Sequence, residues 1–121
     1  ISEMLSTLAS PMYVERVCAA RPAYLPALKR AIRKSFQNQL DNKGFSFVEV
    51  LSPCPTTAGR NIFSFKTPSE MYDWYESQVC LLKPGETEAP DGKIGLGILY
   101  EDNTREELCE VQAEKKEAAR K

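Results

Sequence analysis

One stretch constrains this chain more than any other: Lys43-Gly44-Phe45-Ser46-Phe47-Val48-Glu49-Val50-Leu51-Ser52-Pro53-Cys54-Pro55. Gly44 supplies permissive turn geometry, and the β-branched and aromatic run at 45–51 predicts a short buried strand. Pro53 and Pro55 each lack an N–H and fix φ, so a strand ladder must stop at Ser52. The chain therefore has to turn, extend, and halt with a cysteine held between two rigid rings. In α/β proteins ligands and cofactors gather at the carboxyl ends of strands. Cys54 is on that ground a candidate metal ligand. The alternative is a small buried thiol that packs the strand end.

The rest of the chain supplies elements for an α/β fold around that strand. Ile1, Met4, Leu5 and Leu8 have helical spacing, read as the end of a helix, which Ser10-Pro11 breaks. Residues 12–19 predict a strand, in which adjacent Glu15 and Arg16 should keep one face from being dry. Arg21-Pro22 punctuates the chain. Residues 24–41 predict a helix with Leu25, Leu28, Ile32, Phe36 and Leu40 as the stripe that meets a core, Ala27 and Ala31 beside it. Lys29, Arg30, Arg33 and Lys34 lie off the centre of that stripe and read as a solvated face, with phosphate or an acidic partner as the alternative. Asp41-Asn42-Lys43-Gly44 should end the helix with a left-handed glycine cap. Strand, helix, strand in this order is a parallel α/β unit with a right-handed crossover.

Residues 55–66 read as a loop. Thr67-Pro68-Ser69-Glu70 is a capping box opening a helix to about residue 81, with Met71, Trp74, Tyr75 and Gln78 or Val79 inward. Residues 83–93 read as a polar linker and 94–100 as a short strand. Gly95-Leu96-Gly97 is a lone G-x-G without the context of a dinucleotide loop. Thr104-Arg105-Glu106-Glu107 forms a second capping box, and the charged helix after it has only Leu108, Cys109 and Val111 as an apolar patch. The expected division is 1–82 as the main body, 83–93 as linker, and 94–121 as a terminal strand and charged helix. The fold class is α/β, a partial parallel sheet with flanking helices. Its open edge should favour pairing with a second copy, a homodimer of the chain.

Composition narrows the function. The net charge of −1 leaves no basic excess for nucleic acid. No apolar run reaches membrane-spanning length and no signal-peptide pattern precedes the first strand, so a cytoplasmic protein is expected. Cysteines 18, 54, 80 and 109 show no C-x-x-C spacing and read as reduced thiols. Histidine is absent, which removes the commonest general base. Glu15, Glu49 and Asp73 show no spacing that pairs them, so a standalone hydrolase is a poor reading. A chain opening at Ile1 rather than Met is expected to be a piece of something longer.

Three segments in order carry a resemblance: Tyr13-Val14-Glu15-Arg16-Val17, a basic amphipathic helix containing Ala31-Ile32, and the run from Lys43 through Thr56. Together they resemble the C-terminal part of the β subunit of 2-oxoacid:ferredoxin oxidoreductases, part of a thiamine-diphosphate-binding fold. Pro68 and Trp74 fit the helix that usually follows, and residues 94–100 resemble the family's final strand more loosely. The resemblance implies oxidative decarboxylation of a 2-oxoacid, acyl transfer to coenzyme A, and electrons sent through iron–sulfur clusters to ferredoxin, with an α subunit as partner. It implies that Cys54 is the fourth thiolate ligand of a four-iron four-sulfur cluster. Cys18, Cys80 and Cys109 match no cluster position. The other cluster cysteines, and the Gly-Asp-Gly motif for magnesium and the diphosphate, lie in none of these residues. Alone, this chain is expected to bind neither cluster nor thiamine diphosphate and to be inactive. Thr56-Thr57 after the cysteine leans towards 2-oxoglutarate or a branched-chain 2-oxoacid. A non-catalytic interaction module that kept the fold is the competing reading.

Overall fold

The computed structural model describes residues 1–8, 11–90, 92–104 and 106–120. It is built from α1 (Ser2–Ser6), β1 (Tyr13–Cys18), α2 (Leu25–Leu40), β2 (Ser46–Leu51), α3 (Pro68–Gln78), β3 (Val79–Leu81), β4 (Ile94–Glu101) and α4 (Leu108–Ala118). A 3-10 turn, Pro22–Tyr24, precedes α2, and a π-helical turn, Ala58–Ile62, precedes α3. The strands form one sheet in the order β2-β1-β4-β3. β1 and β2 are parallel, β3 and β4 are parallel, and β1 meets β4 antiparallel with an irregularity between Val14 and Glu15. The expected α/β architecture is thus present, with one antiparallel join inside a mainly parallel sheet.

β1 is central, and all six of its residues are buried, Glu15 and Arg16 included. A wet face was expected there. Alternation sends the two charges to opposite faces, and each is covered by a different layer. Lys34 of α2 stands over the Tyr13 ring at 4.4 Å, on the Glu15 side. Arg16 reaches Glu3 of α1 on the other side. β2, expected to be buried, is instead a half-buried edge strand with β1 as its neighbour in the sheet.

α2 forms as the periodicity predicts but faces the other way. Ala31 and Asn38 are its buried residues, and Asn38 Nδ2 donates to Ser46 Oγ at 3.2 Å. The stripe assigned to the core is turned outward, with Phe36 69% and Leu40 78% exposed and Leu25 and Ile32 also exposed. Small residues and Asn38 let the helix sit close to β1 and β2, and that contact excludes the bulkier side. The left-handed position after α2 belongs to Asn42 (φ 52°), and Gly44 has no positive φ. Asn is one of the few side-chain-bearing residues that tolerate it.

The capping box at α3 is present: the Glu70 amide donates to Thr67 Oγ1 at 3.4 Å, and Glu70 Oε2 accepts from the Lys66 amide at 2.9 Å. The helix stops at Gln78, three residues short of the expectation. Val79, Cys80 and Leu81 become a strand because they pair with Ile94, Gly95 and Leu96. At α4 the cap is Glu107, whose carboxylate accepts from the amides of Cys109 (2.6 Å) and Glu110 (3.3 Å). Thr104 Oγ1 donates instead to Asp102 at 2.6 Å, and Arg105 of the expected box lies outside the described residues, as does Ser10 of the helix-breaking pair. The G-x-G is a packing feature. A Cβ on Gly95 would stand 2.9 Å from Leu82 side-chain carbons. The small core gathers Cys18, Ala20, Val79 and Leu96, with Tyr24, Leu51, Tyr72 and Tyr75 against it. Among the described residues no helix is long and apolar enough to cross a membrane.

Candidate functional site

β2 delivers the chain to Pro53-Cys54-Pro55, and the turn beyond folds back onto it. The Gly59 amide donates to the Cys54 carbonyl at 2.9 Å, and the Phe65 amide to the Gly59 carbonyl at 2.8 Å. Gly59 is buried because Met71 of α3 lies directly beneath it; an added Cβ would sit 3.0 Å from Met71 Sδ. The return of the loop is pinned by aromatics. Phe63 stacks on Phe65 at 5.6 Å, and Phe63 meets Trp74 of α3 at 4.5 Å between ring centroids. Two proline rings, a buried glycine and this aromatic cluster together fix where the Cys54 sulfur sits.

That sulfur is exposed. The amides of Ala58 and then Thr57, followed by the Thr56 hydroxyl, favour its charged form, and its pKa is lowered from 9.0 to about 7. Thr56 Oγ1 lies 3.8 Å from Sγ. N–H dipoles aimed at sulfur stabilise thiolate, the form that both attacks electrophiles and binds metals. The alternative of a thiol buried at the strand end is therefore not what the structure has. The remaining cysteines are on other elements: Cys18 buried on β1, Cys80 half-buried on β3, Cys109 exposed on α4. Among the described residues no three Cys, His, Asp or Glu side chains come together as a metal-binding group. The chain thus offers one thiolate at this corner, a fit for one ligand of a four-thiolate cluster. The other three would come from elsewhere.

The carboxylates weighed as acid–base groups are held apart. Glu49 accepts from Arg16 Nε at 2.7 Å and from Ser2 Oγ at 2.5 Å. Burial opposes its ionisation, but the Ser2 and Arg16 hydrogen bonds prevail and its pKa is lowered. Glu15, on the opposite face, accepts from the Tyr13 hydroxyl and has its pKa raised by burial. Asp73 of α3 pairs with Arg21. The three carboxylates do not pair, as their spacing implied, and Glu49 is instead salt-bridged to Arg16; the π-helical turn that presents amides to Cys54 has no counterpart in the sequence reading, which gave residues 55–66 as a loop. Its only sequence signals were the Gly59 that a close approach requires and the Phe63-x-Phe65 pair aligned to meet Trp74.

The chain is 32% identical over 113 residues to the 2-oxoglutarate synthase subunit KorB of Methanothermobacter marburgensis, which covers 91% of the chain and 36% of that relative. The KorB subunit of Methanothermobacter thermautotrophicus gives 33% over 112 residues. A shorter and stronger match, 48% over 54 residues, joins 45% of the chain to 11% of the ketoisovalerate oxidoreductase subunit VorA of M. marburgensis. The chain therefore spans about a third of the KorB subunits and about a tenth of VorA. No family model matches the chain, and no solved structure matches it. Along nine-tenths of its length the chain is a homologue of 2-oxoacid:ferredoxin oxidoreductase subunits, the family that residues 13–17, 31–32 and 43–56 resemble.

Proposed function

We propose that this chain is the C-terminal part of the thiamine-diphosphate-binding subunit of a 2-oxoacid:ferredoxin oxidoreductase. With its α subunit the whole enzyme converts a 2-oxoacid and coenzyme A to an acyl-CoA and CO2, and electrons leave through iron–sulfur clusters to ferredoxin. 2-Oxoglutarate is the favoured substrate, because the relatives that align along most of the chain are named 2-oxoglutarate synthase subunits. Thiamine diphosphate with magnesium supplies the carbon–carbon chemistry when bound, and the protein orients it and excludes water. In this reading Cys54 is the fourth thiolate of a four-iron four-sulfur cluster.

The observation that carries the ligand role is the state of the Cys54 sulfur: exposed, fixed at the end of β2, and lowered to about 7. A ligand thiol must lose its proton to bind iron, and here the Ala58 and Thr57 amides supply part of that cost beforehand. The test is Cys54→Ser in the full-length subunit assembled with its partner. Cluster absorption near 400 nm should fall, or become labile to oxygen, and ferredoxin reduction should drop by at least about tenfold. A variant with unchanged iron content, spectrum and electron transfer overturns the assignment. Substrate preference is read separately, from activity with 2-oxoglutarate against a branched-chain 2-oxoacid.

A further inference from the structure

The turn that carries Cys54 rests on a contact wholly inside this chain. Met71 is the fourth residue of α3, next to Glu70 of the capping box, so the cap fixes where it stands. It is 2% exposed and lies under Gly59. A Cβ at Gly59 would meet Met71 Sδ at 3.0 Å and Met71 Cβ at 3.8 Å, which leaves no free space between turn and helix. The Gly59 amide donates to the Cys54 carbonyl at 2.9 Å. Thr57 and Ala58, immediately before it, are the residues whose amides act on the Cys54 sulfur. Phe63 also pins the turn, through Trp74 at 4.5 Å. The two supports are not equivalent. Phe63 is 40% exposed and lies past the end of the turn, whereas Met71 is buried and touches the residue adjoining Ala58.

We propose that Met71 is the positioning residue for the Cys54 ligand: by supporting Gly59 it aims the Thr57 and Ala58 N–H groups at the sulfur, and so sets how readily the bound cluster accepts an electron. This role rests on the reading of Cys54 as a cluster thiolate. An electron added to a four-iron four-sulfur cluster leaves part of its charge on the ligand sulfurs, and N–H groups pointed at those sulfurs favour the reduced form. Two well-aimed amides at Cys54 therefore raise the potential, and a turn free to tilt lowers it. Met71 acts through the backbone rather than on the sulfur. A thioether suits the place, since it fills irregular space beneath a glycine without demanding one rotamer.

Two measurements test this, one without iron and one with it. In the 121-residue chain alone, amide exchange is followed residue by residue, with circular dichroism to confirm folding. Met71→Ala should speed exchange of the Gly59 amide at least about tenfold relative to the β1 amides, which report global opening. Met71→Leu keeps the apolar volume and should stay within about twofold of the wild type. In the full-length subunit assembled with its partner, the cluster is titrated with dithionite against redox mediators and read by electron paramagnetic resonance. Met71→Ala should keep its iron yet shift the equilibrium at least about threefold against reduction, a fall of about 28 mV for one electron. Met71→Leu should restore the potential. Gly59→Ala should also lower it, and combining it with Met71→Ala should recover part of the loss, because the new methyl enters space that the thioether vacates. Either measurement unmoved in Met71→Ala overturns the proposal. So does an equal shift in Trp74→Leu, or a double variant that loses the full sum. Cys54→Ser with an intact cluster sinks the ligand assignment and the potential effect with it. Loss of cluster in Cys54→Ser, with Met71→Ala unmoved, sinks the positioning role alone.

Discussion

Arg16 and Cys54 are both polar side chains placed by adjacent strands, and they differ in how much of their chemistry is already used. Arg16 is 5% exposed at the centre of β1. Its guanidinium donates to Glu3 at 2.5 Å, to Glu49 at 2.7 Å and to the Gly95 carbonyl at 3.5 Å, joining α1, β2 and β4 to its own strand. Cys54 is exposed, just past β2, and among the described residues its sulfur is favoured as thiolate by amides and a hydroxyl rather than by a cation. A buried charge with a partner at each of its three nitrogens holds the fold. An exposed thiol whose surroundings favour thiolate still has a valence to give. Arg16 is thus a satisfied structural residue, whereas Cys54 keeps the free chemistry that its proposed ligand role requires.

The largest expected effect comes from breaking the satisfied member. Arg16→Leu leaves Glu49 against the sheet with one remaining hydrogen bond, from Ser2, and should cost about 3 kcal/mol of unfolding free energy. Chemical denaturation at pH 7 checks it, and a loss under 1 kcal/mol would show the network to be incidental. The pH series sharpens the point. Glu3 is lowered from 4.5 to about 2, first by its hydrogen bond with Arg16, and Glu49 is also lowered. Folded values below unfolded ones give stability that is fully present above pH 4.5 and lost as pH falls towards 2. The difference between the wild type and Arg16→Leu should therefore shrink across that window. Glu15 contributes with the opposite sign, since burial raises its pKa and its ionisation disfavours folding as pH rises. Because Glu3 is mostly exposed, solvent screening keeps its share small, and Glu49 should account for most of the slope.

What the sequence revealed follows the range of the forces involved. The end of β2 was legible because proline acts on its own backbone, and the α3 cap because Thr67 and Glu70 are three residues apart. The existence of α2 was legible from its period. Its orientation was not, since a stripe of Leu, Ile and Phe looks the same whether it meets this sheet or another surface, and the burial of Ala31 and Asn38 against the sheet is a tertiary fact. Residues 79–81 read as helix in sequence because three residues carry little local preference; their strand state depends on partners fifteen positions onward. The burial of Arg16 rests on Glu3 and Glu49, 13 and 33 residues away in opposite directions. For the site, Cys54 itself was legible from its prolines. The amides that tune it were not, because a π-helical turn over Ala58–Ile62 needs the packing of Gly59 on Met71.

The smallest effect tests the unsatisfied member. With its pKa at about 7, Cys54 should be half thiolate at neutral pH, whereas an ordinary thiol near 8.5 is only about 3% ionised there. Alkylation by iodoacetamide, followed peptide by peptide, should rise with pH and reach half its plateau rate at Cys54 near pH 7. The gain over an ordinary thiol at that pH should be only about three- to fourfold, because a thiolate fraction roughly sixteen times larger is largely offset by the weaker nucleophilicity of a less basic thiolate. Thr56→Val removes only the hydroxyl, which ranks behind the Ala58 and Thr57 amides, so the midpoint should move up slightly and remain below that of an ordinary thiol. Gly59→Ala acts on the amides instead. Its new methyl must displace Met71 Sδ, a flexible end that can yield, and any shift it forces on the turn carries the Ala58 N–H with it. A larger rise in midpoint for Gly59→Ala than for Thr56→Val identifies the backbone as the source of the thiolate, and equal shifts would return that role to the side chain.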